Sequence, residues 1–111
     1  MHQLIWHPKA KETVQSFSDE VKDKLGYLLY RLQLGETLSM PQSRNMVSVS
    51  RGVKELRVKS KDGSYRCFYI KIEKNNIAVF HAFKKKTQKT TKKDLQLGQK
   101  NLSEVLKWQK K

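Results

Sequence analysis

The sequence contains little of what disulfide-bonded, disordered or membrane-spanning proteins require. Its single cysteine, Cys67, excludes an internal disulfide and is compatible with a reducing compartment. Two prolines and five glycines among 111 residues argue against general disorder. No apolar run approaches the roughly 20 residues of a membrane span, and Met1–Pro8 lacks the basic and apolar regions of a signal peptide. We therefore expect a cytoplasmic globular protein in which Cys67 is a half-buried strand residue.

Motifs that bind metals or cofactors are also scarce. Three histidines, one cysteine and no clustered carboxylates disfavour a metal centre. The sequence has no glycine-rich phosphate loop, no zinc-protease helix motif and no nucleophile elbow. It therefore predicts neither a metal nor another cofactor.

What the sequence has in excess is positive charge. Its 24 lysines and arginines against 10 acidic residues give a formal net charge of +14. Self-repulsion of that size destabilises a compact chain, and binding to a polyanion would offset it. A nucleic acid or an acidic protein is therefore the expected partner. The length predicts a single domain over residues 1–111, with one modest core.

Hydrophobic spacing in the first third of the chain predicts a strand followed by a helical hairpin. A short apolar run over His2–Trp6 is a candidate strand, and Pro8 suits the start of a helix. The first helix is predicted over Lys9–Phe17. Ser18 is the predicted N-cap of a second helix with a stripe of core leucines, and Gly35 fits the position just past its end.

The rest of the chain predicts three strands and a last helix. A polar connection follows the hairpin, and we expect a little extended structure in it near Val47–Val49. The first of these predicted strands starts at Val53, and the next two cover Tyr65–Glu73 and Ile77–Phe83. A helix capped by Thr91 is predicted over Lys92–Trp108. This order predicts an α+β fold, in which a small antiparallel sheet packs against the N-terminal helical hairpin and a C-terminal helix docks on it.

Two arginines come together across a predicted turn. Asp62-Gly63 is a strong hairpin signal, so Arg57 on one strand and Arg66 on the next could reach one phosphate. RNA cleavage without a metal requires that the 2′-hydroxyl lose a proton, that the phosphate charge be stabilised and that the leaving oxygen be protonated. Guanidinium groups suit the second task because their forked donors match phosphate oxygens. A pair of solvated edge arginines is an equal alternative on composition alone.

A lysine-rich passage follows the last predicted strand. It contains Lys84, Lys85, Lys86, Lys89, Lys92 and Lys93, with no acidic residue before Asp94. Phosphate contacts that weaken with salt are the simplest use of such a surface, so we predict RNA contacts from this passage and from Lys59. A charge run is more often a solvated face, and that alternative stays open.

Candidates for proton transfer and for base stacking are fewer. His81 can exchange protons near neutral pH, although a lone strand histidine is more often structural. Glu55 could be a base or a salt-bridged surface carboxylate. Tyr65 and Tyr69 could stack on bases, although strand tyrosines commonly cover the rim of a core. His7 has no supporting constellation in the sequence.

Three stretches taken together resemble the phage-derived HigB-like toxins of the RelE/ParE superfamily. They are Glu55–Arg57, Asp62–Tyr69 and Phe80–Thr90, and their order along the chain is more specific than any one of them. The resemblance covers essentially the whole chain and implies a small RelE-like fold. Thr91 stands where proline is common, and alanine is usual near Gly98; both departures alter helix propensity more than chemistry.

The resemblance implies the toxin of a type II toxin–antitoxin system that cuts mRNA on the ribosome, without metal, by 2′-hydroxyl attack. The implied partners are a HigA-type helix-turn-helix antitoxin, mRNA and the ribosome, with DNA bound only through the antitoxin complex. By the same resemblance Arg57 and Arg66 hold the scissile phosphate, while Lys84 and Lys85 stabilise charge or contact RNA. His81 matches a family histidine and is the candidate acid or base.

Two other functions remain open at this level. The same fold also serves ParE-like gyrase poisons, which do not cut RNA. A non-catalytic nucleic-acid-binding module would use the basic surface for binding alone. We expect Arg66→Ala to abolish toxicity while leaving the fold intact.

Overall fold

The protein folds into a five-stranded sheet with helices on both of its faces. A computed structural model describes residues 1–73, 76–85 and 90–109. The elements are β1 (Leu4–Trp6), α1 (Pro8–Gln15), α2 (Asp19–Gln33), β2 (Ser43–Asn45), β3 (Lys54–Ser60), β4 (Gly63–Ile72), β5 (Asn76–Lys85) and α3 (Lys92–Gln109). The predicted α+β fold is confirmed. None of the helices described is both long and apolar enough to cross a lipid bilayer.

The strands lie in the order β1-β5-β4-β3-β2. β1 runs parallel to β5, and the three other pairs are antiparallel. The prediction of extended structure near Val47–Val49 is wrong, because those residues form a turn. The strand in this connection is instead Ser43–Asn45. The strand Ser43–Asn45 consists of three polar residues without an alternating apolar pattern, so the sequence does not reveal it. It is a strand because it pairs with β3.

The helix boundaries follow from capping residues. The side chain of Ser18 accepts a hydrogen bond from the backbone of Val21 at the start of α2, and Gly35 lies just past its end with a φ of +92°. At the start of α3 the Thr91 hydroxyl accepts from the backbone N–H of Asp94. These three boundaries were predicted correctly. The first helix is shorter than predicted, since it begins at Pro8 and ends at Gln15.

The core consists of two apolar clusters, one on each face of the sheet. The leucine stripe of α2 packs with the residues of β4 that point to its side, including Tyr65, Cys67 and Tyr69. On the other face Phe68 packs with residues of β5 and α3. The expectation that Cys67 is half-buried is wrong: the helical hairpin covers it completely. Burial raises the pKa of this thiol to about 12, so the cysteine is a packed core residue rather than a nucleophile.

Candidate active site

The β3–β4 hairpin places the two predicted arginines directly opposite each other. Arg57 pairs with Arg66 in the antiparallel ladder, three residue pairs along from the first pair, Lys54 with Tyr69, and close to the turn. The predicted turn holds Gly63 at a φ of +147°, a conformation that suits glycine. Directly opposed residues of an antiparallel pair point to the same face. Both guanidinium groups therefore lie on the face of the sheet that carries α3.

A buried carboxylate lies among these arginines. Glu55 is fully buried, and its Oε1 lies 3.5 Å from Nε of Arg66 and 3.7 Å from Nη2 of Arg44. The hydroxyl of Thr90 lies 3.4 Å from the other carboxylate oxygen and donates to it. The expectation of a surface carboxylate is therefore wrong. Glu55 is instead the counter-ion of a cluster that also holds Arg57 and Lys85.

The cluster has more donors than acceptors. Together Arg44, Arg57, Arg66 and Lys85 carry four positive charges against the one carboxylate of Glu55. The Nε groups of all three arginines are buried and have no hydrogen-bond partner among the described residues. Burial lowers the pKa of Arg66, and the charge of Glu55 opposes that effect. Unpaired buried guanidinium donors are costly, and an oxyanion is the ligand that would satisfy them.

A pocket of about 590 Å³ opens onto this cluster. Arg57 and Arg66 line it together with Lys59, and the Met40–Gln42 segment forms the facing wall. The Met40 sulfur accepts a hydrogen bond of 2.9 Å from Nη1 of Arg57, which holds that guanidinium at the rim. Arg66 is only 3% exposed, so it forms the floor. The pocket can therefore place one oxyanion against two guanidinium groups.

The structure separates the two lysines that were predicted to act together. Successive side chains of a strand point to opposite faces. Lys85 lies with the Glu55 cluster, where burial and then the charge of Arg66 lower its pKa. Lys84 lies on the other face, 3.3 Å from a carboxylate oxygen of Asp62 and above the ring of Tyr65. Of this pair only Lys85 lies near the pocket.

His81 joins the sheet to the last helix. Its Nε2 lies 2.9 Å from a carboxylate oxygen of Asp94 on α3, and its ring packs between Phe68 and Phe83. Burial lowers the pKa of this imidazole, and the hydrogen bond with Asp94 opposes that effect. The histidine is nearly buried and does not line the arginine pocket.

The other predicted contacts lie at several places. Lys59 lines the pocket, and Lys92 and Lys93 are exposed in the first turn of α3. Tyr65 is 4% exposed, with its ring against Phe17, which leaves no open ring face for a base. Lys86 and Lys89 lie outside the described residues. Among the residues that are described, no three histidine, cysteine or carboxylate side chains converge as metal ligands would.

Sequence reasoning missed Arg44 in this site and, away from it, His7 near the C-terminal end of α3. Arg44 was missed because β2 has no periodic pattern, and the burial of Glu55 depends on Arg44 and Arg66 coming together from different strands. His7, which had no constellation in the sequence, is buried with its Nε2 2.7 Å from a carboxylate oxygen of Glu104. Its ring stacks on Trp108 at 5.3 Å. No local pattern could have revealed either arrangement, because the partners are distant in sequence.

Comparison with known proteins identifies the fold. Residues 12–103 match the family model described as "Phage derived protein Gp49-like". The structure is similar to that of the E. coli toxin RelE, solved in the free state with two arginines replaced by alanine. The TM-score is 0.53 at 14% sequence identity, over 94% of this chain and 97% of that one. The predicted RelE-like fold is thereby confirmed. No curated protein sequence matches the chain.

Proposed function

This chain belongs to the Gp49-like family of phage-derived proteins, and on that premise we propose that it is the toxin of a type II toxin–antitoxin system. The proposed activity is ribosome-dependent endonucleolytic cleavage of mRNA, as in HigB-like toxins. The observation that carries this proposal is the excess of positive charge around Glu55, with the guanidinium groups of Arg57 and Arg66 lining a pocket large enough for a phosphate and its ribose and with their Nε atoms left without a hydrogen-bond partner among the described residues. The RelE-like fold supports the same assignment.

The cluster fits the demands of 2′-hydroxyl attack on the adjacent phosphate. In this proposal Arg57 holds one phosphate oxygen from the rim and Arg66 holds another from the floor, so that negative charge developing on the phosphorane is stabilised. Lys85 adds a third positive charge. Burial and then the charge of Arg66 lower the pKa of this lysine, so its proton is held less tightly than that of an exposed lysine. Lys84, on the far face, and His81, bound to Asp94, have no direct part.

The proposed partners follow from the same premise and from the charge of the molecule. We infer that a HigA-type helix-turn-helix antitoxin neutralises the protein, and that mRNA on the ribosome is the substrate. A formal net charge of +14 favours both an acidic antitoxin segment and RNA. DNA would be contacted only through the antitoxin complex.

Arg57→Ala tests the proposed activity. Arg57 lies at the rim and forms no ion pair with Glu55 among the described contacts, so its removal leaves the pairs of Glu55 with Arg44 and Arg66 in place. We expect the variant to fold normally and its rate of mRNA cleavage to fall by at least about 100-fold. A loss on the order of 100-fold is typical when one donor that stabilises transition-state charge is removed. Primer extension on cellular mRNA after brief induction, without antitoxin, measures this loss.

Arg51→Ala is the matched control, because Arg51 is exposed and lies outside the pocket. It should arrest growth and cut mRNA like the wild type. A folded Arg57→Ala protein that still cut mRNA would refute the phosphate site. Intact mRNA accompanied by double-strand DNA breaks in the wild type would instead identify a gyrase poison, and RNA binding without cleavage a non-catalytic module.

Arg66→Ala is a poorer test than the sequence suggested. Arg66 is buried against Glu55, so truncation would leave a buried carboxylate without its nearest cation. Breaking a buried pair in this way costs about 3–5 kcal/mol. Loss of toxicity in that variant could therefore reflect loss of the fold.

A further inference from the structure

A second groove lies beside the arginine pocket, around the edge of β3. It has a volume of about 490 Å³ and lies between α2 and the C-terminal half of β3. The pocket and the groove share three lining residues, Gln42, Arg57 and Lys59. β2 pairs only with Lys54–Leu56, so beyond Arg57, whose backbone N–H donates to the carbonyl of Gln42, no described strand covers the outer edge of β3, while β4 pairs with its inner edge. A chain that enters the pocket can therefore continue into the groove.

An exposed aromatic ring stands on the α2 side of this groove. Tyr27 is 61% exposed although it lines the groove. The guanidinium carbon of Arg31, one turn further along the helix, lies 5.7 Å from the centre of that ring. Nε of Arg31 donates a 3.0 Å hydrogen bond to Glu36, which fixes the guanidinium plane. The guanidinium therefore lies over one face of the Tyr27 ring, and a base would stack on the other face.

The charges around the groove suit an anionic ligand. Lys24, Arg31, Arg57 and Lys59 line it, against the single carboxylate of Asp23. The ammonium of Lys24 donates to the backbone carbonyl of Lys59 at 2.9 Å, so it closes one side of the groove. Aromatic rings and guanidinium planes are the surfaces on which unpaired bases stack, while the neighbouring cations hold the backbone.

We propose that this groove binds the base of the nucleotide adjacent to the scissile phosphate in single-stranded RNA, stacked on Tyr27 beside Arg31. The inference rests on the proposed function, because a phosphate held by Arg57 and Arg66 sets the position from which the next base reaches the groove. It adds a stacking site from α2 to a surface otherwise built from the sheet.

A protein partner docked on α2 would use a different set of residues. Tyr30 on this helix and Leu34 just past its end are also exposed, at 50% and 52%, but neither lines the groove. A partner helix covering this face would contact them together with Tyr27. A single base in the groove would contact Tyr27 and leave Tyr30 free. Tyr30→Ala is therefore the matched control for Tyr27→Ala.

The test measures binding of a fluorescein-labelled RNA hexanucleotide whose 2′-hydroxyls are methylated, so that 2′-hydroxyl attack cannot occur. Fluorescence anisotropy at low salt compares the wild type with Tyr27→Ala, Tyr27→Trp, Tyr30→Ala and Arg57→Ala. We expect Tyr27→Ala to weaken binding about 5- to 100-fold, the range for one lost stacked base. Tyr27→Trp and Tyr30→Ala should stay within about twofold of the wild type. The same probe with an abasic residue at each position in turn should reveal one position at which Tyr27→Ala has no further effect.

Equal losses in Tyr27→Ala and Tyr30→Ala would overturn the base site, as would a Tyr27→Ala loss that persists with every abasic probe or a wild type that does not bind. If only Arg57→Ala lowered affinity, the base site would be wrong and the proposed function unaffected. If only Tyr27→Ala lowered it, in the position-specific manner expected, the groove would bind a base and the phosphate site of the proposed function would be wrong.

Discussion

Glu55 has two opposing effects on the residues around it. It partly neutralises cations that would otherwise repel one another in a buried place, and so permits Arg66 to be buried at all. The same carboxylate competes with any phosphate for those guanidinium groups. Glu55 therefore sets a balance between the stability of the empty site and its affinity for an oxyanion.

Glu55→Gln should shift that balance in a measurable way. The amide keeps the shape but removes the negative charge, so we expect the free energy of unfolding at low salt to fall by about 3–5 kcal/mol. Inorganic phosphate should restore more stability to this variant than to the wild type, because the pocket then carries an additional net positive charge. Thermal unfolding with and without phosphate, at constant ionic strength, measures both effects.

Glu36→Gln provides the control for that experiment. Glu36 pairs with Arg31 at the surface, so its loss should cost about 1 kcal/mol or less and leave the response to phosphate unchanged. Identical responses in the two variants would show that Glu55 and phosphate do not share the same cations.

At the residue scale, the sequence predicted which side chains lie opposite one another better than it predicted which side chains are buried. The opposition of Arg57 and Arg66 follows from a two-residue period and an Asp-Gly turn, both of which are local signals. The burial of Glu55 is not a local property, since it requires Arg44 from a strand that polar residues alone do not announce. Lys84 and Lys85 could not be assigned to opposite faces because the predicted strand ended at Phe83, whereas β5 continues to Lys85.

At the scale of elements, polar contacts at three positions along its length attach α3 to the rest of the fold. Near its start Asp94 bonds to His81, and near its end Glu104 bonds to His7. Between them the Asn101 amide donates to the backbone carbonyl of Phe80 at 2.9 Å. The position of the helix is therefore fixed by directional bonds as well as by its narrow apolar stripe.

Gly98 allows α3 to lie close to the sheet. A Cβ at this position would lie 2.7 Å from the Phe68 ring, which is fully buried against Phe80, Phe83 and His81 and cannot easily move. Gly98→Ala should therefore lower the free energy of unfolding by about 1 kcal/mol. The overpacking costs about 1–3 kcal/mol, against a gain of up to about 1 kcal/mol in helix propensity. Urea unfolding measures the difference.

Gly26→Ala is the matched control on α2, because its Cβ would meet nothing within 4 Å. We expect a gain of about 0.5–1 kcal/mol from propensity alone. Equal gains in both variants would show that Gly98 matters only for helix propensity, as the sequence comparison implied.

At the scale of the whole molecule, net charge and buried histidine both make acid destabilising. The formal charge is already +14 at pH 7, and it rises as carboxylates and histidines take up protons. Burial holds the pKa of folded His81 below its ordinary value of 6.5, with Asp94 opposing and His7 adding to the effect. As the pH falls below 6.5, the unfolded chain therefore binds a proton before the folded one does.

The free energy of unfolding should fall between pH 7 and pH 5, with a contribution from His81 of at most about 1.4 kcal/mol per pH unit. His81→Gln keeps a donor for Asp94 but cannot titrate, so its stability should decline less steeply. Urea unfolding at several pH values and fixed ionic strength compares the two slopes, with His2 and His7 present in both proteins. Parallel slopes would show that His81 does not contribute to the acid sensitivity.

At the same scale, the order and type of most elements and the antiparallel pairing of β3, β4 and β5 could be predicted, but the pairing of β1 and β2 could not. Leucine spacing in α2 and alternation in β4 are strong periodic signals; α2 follows its predicted cap, and β4 begins two residues before and ends one residue before the predicted Tyr65–Glu73. The parallel pairing of β1 with β5 has no local signature. It depends on contacts between chain segments that are far apart, which no pattern of neighbouring residues encodes.

That parallel pair cannot form until most of the chain has been made. The strand of Leu4 can pair only after Ile77 has been synthesised, and Lys85 leaves the ribosome later still. The hairpin that opposes Arg57 and Arg66 can close early from local contacts, yet it lacks Lys85 and the cover of β5. If the molecule is the toxin proposed above, a nascent chain is harmless through most of its translation. The antitoxin then needs to be present only by the time the last strand has been made.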